Sequence, residues 1–194
     1  GLASRSNFAT LACILLVGAG FSPTRPHYRR GMETRSRCCR PSAAADPLRD
    51  VRLMETGFSP APPLAALARA CPDAGGIASY VGKVRSAGVL TLELQHYAPL
   101  TLPGLEALAD EAAARFGLQG VTLWHRIGRI RPAAPIVLAA AAARHRREAL
   151  EAVAFLMDHL KCAAWLWKRE RRADGWHWIE PREEDHAALA RWQV

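Results

Sequence analysis

Lysine is nearly missing from this chain: of its 26 basic residues only Lys83, Lys161 and Lys168 are lysine, and the other 23 are arginine. Arginine therefore serves wherever a solvated charge suffices. A lysine ammonium differs in that it gives up its proton readily when desolvated, whereas a guanidinium does not, so the three lysines are candidates for chemistry. The cysteines lack a pattern. Cys13, Cys38, Cys39, Cys71 and Cys162 form no C-x-x-C pair and no His/Cys cluster at zinc spacing, so neither a metal site nor a disulfide framework is indicated, which fits a reducing, cytoplasmic setting. No glycine-rich phosphate loop and no internal repeat occurs. The longest apolar run, Phe8 to Phe21, has 14 residues, short of the roughly 20 that span a bilayer as a helix.

The excess of positive charge is unevenly spread. Residues 1–52 hold nine arginines against three acidic residues, and residues 53–194 hold 17 basic against 15 acidic. A nucleic-acid binder needs a basic stripe on its folded domain, so the near-neutral remainder argues against nucleic acid as a partner. Residues 1–48 read as an N-terminal extension, either a targeting segment or upstream sequence, and residues 49–194 as one folded domain.

The pattern predicts a helix over 62–71, a strand over 77–85 and a second strand over 90–97, paired with the first across Ser86–Gly88. A helix follows over 103–117, opened by Pro103 and closed by Gly117. "GVTLWHRIG" and "PIVLAAAAA" read as two more strands. A long helix is expected from near Arg144 to about Ala163, burying Leu150, Val153, Ala154, Met157, Leu160 and Ala164. "WLWKRERRADGWHWIE" reads as a hairpin turning at Asp174-Gly175, and a short helix over 183–192 closes the chain. Strands and helices mix without βαβ alternation, which gives an α+β class.

Three clusters could bind anions. In "GKVR", Lys83 and Arg85 fall on one side of a strand end. In "RHRR", Arg144 to Arg147 sit at a helix N-terminus, where the macrodipole disfavours cations unless an anion lies among them. In "DHLKCAAWLWKRE", Lys161 closes the long helix and Lys168 lies on the next strand. Cys162 beside Lys161 is either a persulfide carrier or a small buried helix residue.

Together "YVGKVR", "LELQHY", "WHRIG", "RHRREALEAVAFLMDHLK" and "WKRE" resemble the large, catalytic subunit of molybdopterin synthase, the MoaE family, over roughly residues 50–192. The resemblance implies an α/β hammerhead-type fold with an additional antiparallel β hairpin region. It also implies a homodimer forming the core of a heterotetramer with a small ubiquitin-like sulfur-carrier subunit. The implied reaction is sulfur transfer from the carrier's C-terminal Gly-Gly thiocarboxylate to cyclic pyranopterin monophosphate, with no metal or other cofactor. By motif, the resemblance makes Lys161 and Lys168 catalytic and assigns Lys83, Val84, Arg85, His145, Arg146, Arg169 and Glu170 to substrate binding, His145 and Arg146 from the other subunit of the dimer. On that reading Lys161 holds the thiocarboxylate and moves protons, while Lys168 and Arg85 grip the pterin and its phosphate. The sequence departs from the family at Trp165-Leu166, where members carry a proline, at Arg144, where the residue is small, and at Ala133-Ala134, where a Gly-Asp turn is usual. A non-catalytic anion- or nucleic-acid-binding module using the basic N-terminal tail is the alternative from another class.

Overall fold

The computed structural model describes residues 46–193; the apolar run Phe8–Phe21, Cys13, Cys38 and Cys39, and nearly all of the N-terminal extension expected over residues 1–48, lie outside the described residues. The elements in order are β1 (Leu48–Met54), α1 (Ala61–Ala70), β2 (Gly76–Lys83), β3 (Thr91–His96), α2 (Ala98–Phe116), β4 (Gly120–Arg126), β5 (Gly128–Ile130), β6 (Pro135–Ala143), α3 (Arg146–Lys161), β7 (Leu166–Arg172), β8 (Gly175–Ile179) and α4 (Glu183–Ala190). They build two four-stranded sheets, β1-β4-β6-β2 and β5-β3-β7-β8. This is the expected α+β class, with the β7–β8 hairpin as one side of the second sheet.

The first sheet is covered on both faces, and that explains how an alanine run becomes a strand. β6 lies inside the sheet, antiparallel to both β4 and β2. Its Ala139, Ala141 and Ala143 face the cluster made with α2 and α3, and Leu138, Ala140 and Ala142 face the cluster made with α1. Alanine has little strand propensity of its own, but its small side chains let helices approach from either side. Phe155 and Leu156 of α3 are fully buried against this sheet, and truncating Phe155 to alanine is expected to cost about 3–5 kcal/mol.

Several expectations are corrected. β2 and β3 do not pair: β2 lies beside β6, and β3 beside β5 and β7. A register shift at Gly82/Lys83 takes the chain out of the first sheet, and Val84, Val89, Leu92 and Leu94 then form a separate core with Ile130. α2 begins at Ala98, with Pro99 in its first turn and Pro103 inside it; the start signal is the earlier proline. Gly117 does end α2, in the left-handed region at φ 58°. α3 starts two residues later than expected, and its buried face runs through Ala149, Ala152, Val153, Phe155, Leu156 and Leu160. Leu150 is 62% exposed, and Ala164 lies beyond the helix and is exposed. The hairpin turns at Ala173-Asp174, since Arg172 pairs with Gly175. β1 and β5 went unpredicted.

Trp165 has a specific seat. A Cβ on Gly104 of α2 would come within 2.9 Å of its indole ring, so the glycine makes room for the ring. The Trp165 carbonyl accepts hydrogen bonds from the Tyr97 N–H (3.2 Å) and the buried Thr101 hydroxyl (3.3 Å).

Candidate active site

At the end of β2, Lys83 and Arg85 are exposed and Val84 is buried between them, the alternation of a strand. The Val84 N–H donates to the Ala134 carbonyl (3.0 Å), and its carbonyl accepts from the Ala133 N–H (2.9 Å). Val84 therefore has no N–H left to donate to a ligand; paired at both backbone groups, it anchors the two cations on either side of it. Ala133 adopts φ +63°, the left-handed conformation that a glycine would take without strain.

The other two lysines form one electrostatic cluster. Lys161, the last residue of α3, is half exposed, with its Nζ 3.9 Å from the Asp185 carboxylate of α4. Lys168 on β7 is more enclosed. Burial foremost, and the Lys161 charge next, depress its affinity for a proton, which Asp185 and Cys162 partly restore. Asp185 is itself held below the usual carboxylate range, mainly by the Arg182 N–H that donates to it. Burial first, then Asp185, pushes the Cys162 thiol up, which disfavours the thiolate that a persulfide carrier would use.

His125 on β4 is the third member, and sequence reasoning missed it because "WHRIG" read only as a strand. It is 4% exposed. Its Nδ1 lies 2.8 Å from the Arg126 carbonyl; a carbonyl only accepts, so Nδ1 carries the proton and Nε2 is left as an acceptor. Burial, and the Lys168 charge as a smaller influence, pull its pKa down to about 4, so the ring is neutral near pH 7. Asp185 was missed as well, and nothing in the α4 sequence marks it.

The "WKRE" residues divide by strand alternation. Lys168 and Glu170 share the face of β7 that is in register with buried Leu94 and Leu92, and Glu170 pairs with Arg172. Arg169 points the opposite way, to Glu93, with its guanidinium 4.6 Å from the Trp176 ring and 5.5 Å from that of Trp178. Arg129 reaches the same carboxylate at 3.3 Å, and these arginines hold Glu93 below its ordinary range, with Arg169 the foremost influence. The structure thus does not bring Arg169 to the lysines.

Nor does it bring His145 and Arg146 to them. These residues open α3 and line a shallow cleft of about 390 Å³ with Gly75, Arg144 and Arg147. The approach is close: a Cβ on Gly75 would lie 2.1 Å from the Arg144 carbonyl oxygen, and one on Gly76 would lie 3.0 Å from the Arg146 Cα. Gly76 begins β2 and Lys83 ends it, so the two cationic groups stand about 23 Å apart at roughly 3.3 Å per strand residue. α3 packs along β2 and β6 for about 24 Å, at 1.5 Å per residue, which carries Lys161 toward the Lys83 end. Among the described residues, no group of three or more His, Cys, Asp or Glu is placed to hold a metal ion, and no helix is long and apolar enough to cross a membrane.

The family model described as MoaE protein matches residues 53–163. The chain belongs to the MoaE family. It is 40% identical over 148 residues to the molybdopterin synthase catalytic subunit of Ralstonia nicotianae, covering 74% of this chain and 84% of that protein. It is 43% identical over 147 residues to the protein of the same name from Mesorhizobium japonicum, covering 74% and 92%. Among solved structures, the MoaE protein from Burkholderia ambifaria superposes with a TM-score of 0.65 at 39% identity, over 76% of this chain and 99% of that one. A complex of subunits 1 and 2 of the molybdopterin-converting factor from Helicobacter pylori shares the fold, with a TM-score of 0.57 at 19% identity over 69% and 90%. In this MoaE chain Lys83 stands at one end of β2, the end toward which α3 carries Lys161, and His145 and Arg146 stand at the other.

Proposed function

We propose that the chain is the catalytic subunit of a molybdopterin synthase, transferring sulfur from the C-terminal thiocarboxylate of a small ubiquitin-like carrier to cyclic pyranopterin monophosphate. The observation that carries this reading is the enclosed Lys168 next to Lys161 at one end of the fold. Two ammonium groups kept close, one of them desolvated, form a place where an anion is welcome and a proton can be moved near neutral pH. Both ligands of the reaction are anionic.

The geometry supports a division of labour different from the one first drawn from the motifs. Half-exposed Lys161 is suited to receive the carrier's thiocarboxylate, taking it in exchange for the Asp185 carboxylate. Lys168, with its depressed proton affinity, is suited to move the proton as the carbon–sulfur bond forms. Lys83 and Arg85 grip the substrate from the strand end, and Glu170 together with Arg172 borders Lys168. Arg169, bound by Glu93 and two tryptophans, stiffens the second sheet from its other face.

A span of about 23 Å along β2 is too long for one substrate to touch both cationic groups of a single protomer. A second copy of the chain supplies His145 and Arg146 to the lysine end, which makes the catalytic unit a homodimer with a carrier at each end. The reaction fits the cytoplasm, where Cys71 and Cys162, free in the structure, stay reduced.

The test is reconstitution. Purified chain, a thiocarboxylated ubiquitin-like carrier and cyclic pyranopterin monophosphate are expected to yield the dithiolene product, and removing residues 1–45 should leave turnover intact. Failure to form product with a carrier that binds, or polynucleotide binding lost on that truncation, would favour the binding-module reading.

A further inference from the structure

Arg126 has no part in the proposed reaction. It ends β4, one residue beyond His125, and strand alternation turns it to the other face of the first sheet, the face shared by Trp124 and α1. Only 8% of Arg126 is exposed, and among the described residues its buried Nε has no hydrogen-bond partner. The one hydrogen bond of its guanidinium among those residues is a long 3.4 Å contact from Nη1 to the Pro135 carbonyl. Among the described residues no carboxylate lies within salt-bridge range of Arg126 or Arg131. A buried guanidinium without a counter-charge is costly to fold, and the nearby Arg131 charge adds to that cost.

These two arginines line a cleft of about 810 Å³ whose walls include Phe58, Pro132, Ala133 and Pro135, with Arg129 also at the lining. Arg129 already has Glu93 as partner, so two guanidinium charges, on Arg126 and Arg131, are left for a ligand. A dianion matches two such charges, and a fork of N–H groups matches oxygens held on one centre. The size and the apolar walls suit a small organic molecule better than a bare ion. We propose that this cleft is an accessory binding site for a phosphorylated small molecule, with Arg126 and Arg131 holding the phosphate and Phe58 and Pro132 flanking its organic part. The site rests on the stranded arginine and its cleft, independently of the proposed sulfur transfer.

The experiment is calorimetric titration of the full chain with phenyl phosphate and, separately, inorganic phosphate, at ionic strength fixed with sodium chloride. The protein carries Arg85→Ala and Arg146→Ala to weaken the other two cationic clusters, and Arg131→Ser on that background separates the cleft from the cations that remain in them. Phenyl phosphate is expected to bind saturably, at least 10-fold more tightly than inorganic phosphate, and to lose at least 10-fold in affinity on Arg131→Ser, an exposed change that leaves the fold alone. Arg126→Gln should abolish binding; if that variant does not fold, Arg131→Ser alone decides. Absence of saturable binding, equal affinity for the two probes, or affinity unchanged by Arg131→Ser would each overturn the proposal.

Discussion

The two ends of β2 treat positive charge in opposite ways. At the lysine end Lys168 is enclosed, its proton affinity falls, and a carboxylate and a neutral histidine stand nearby. At the His-Arg end, Arg144, His145, Arg146 and Arg147 are all exposed around a shallow cleft at a helix N-terminus. Gripping an anion needs only accessible charge and a favourable dipole. Moving a proton near neutral pH needs an amine made less basic, and that requires burial beside a like charge. The lysines of this arginine-dominated chain stand at the end where an amine is made less basic.

The sharpest break of that contrast is charge-preserving. Lys168→Arg keeps a cation but removes a transferable proton, and turnover is expected to fall about 10³-fold with carrier binding intact, measured by single-turnover assay and calorimetry. Lys161→Arg should lose less. The opposite order would return proton transfer to Lys161.

His125 tests the burial at the same end through acid stability. Its folded pKa of about 4 lies below the unfolded value, so the unfolded chain takes up the proton first as pH falls. The stability from its neutral form is complete above pH ~6.5 and is lost as pH drops toward 4, by about 3 kcal/mol in total. Denaturant midpoints between pH 7 and 4 should show this loss in the parent chain, and His125→Gln should flatten it; an unchanged slope would mean that other groups control acid unfolding.

At the opposite end, Arg146→Ala is expected to raise KM for the cyclic phosphate about 10-fold, one charge-assisted contact's worth, with kcat nearly unchanged. A fall in kcat alone would erase the distinction between the two ends. The smallest effect concerns Ala133, held at φ +63° beside Val84. Ala133→Gly relieves the left-handed strain but adds unfolded-state entropy, so a net gain of about 0.5 kcal/mol is expected in thermal unfolding.

Much of this was legible in the chain itself. The lysine count singled out Lys83, Lys161 and Lys168, and period-two alternation correctly placed Lys83 and Arg85 on one side of a strand end. Strand pairing was not legible. Nothing local in "GKVRSAG" says that the chain leaves one sheet for another there, because the partners of β2 and β3 lie more than thirty residues downstream on β6 and β7. The site lost His125 for a related reason: its meaning comes from burial and from a lysine on a different sheet. The resemblance assigned Arg169 to the site together with Lys168 through the "WKRE" motif, and on β7 the two side chains face opposite ways, Arg169 toward Glu93. Pro99, in the first turn of α2, marks its start, and Pro103 lies inside the helix.

The length of β2 has a genetic consequence. If His145 and Arg146 serve the lysine end of the other protomer, as proposed, two separately inactive variants, one lacking Lys168 and one lacking the His-Arg pair, should rescue each other when co-expressed. A mixed dimer gathers both defects into one site and leaves the other whole, so random pairing restores about a quarter of the sites. Two variants broken at the same end would never complement.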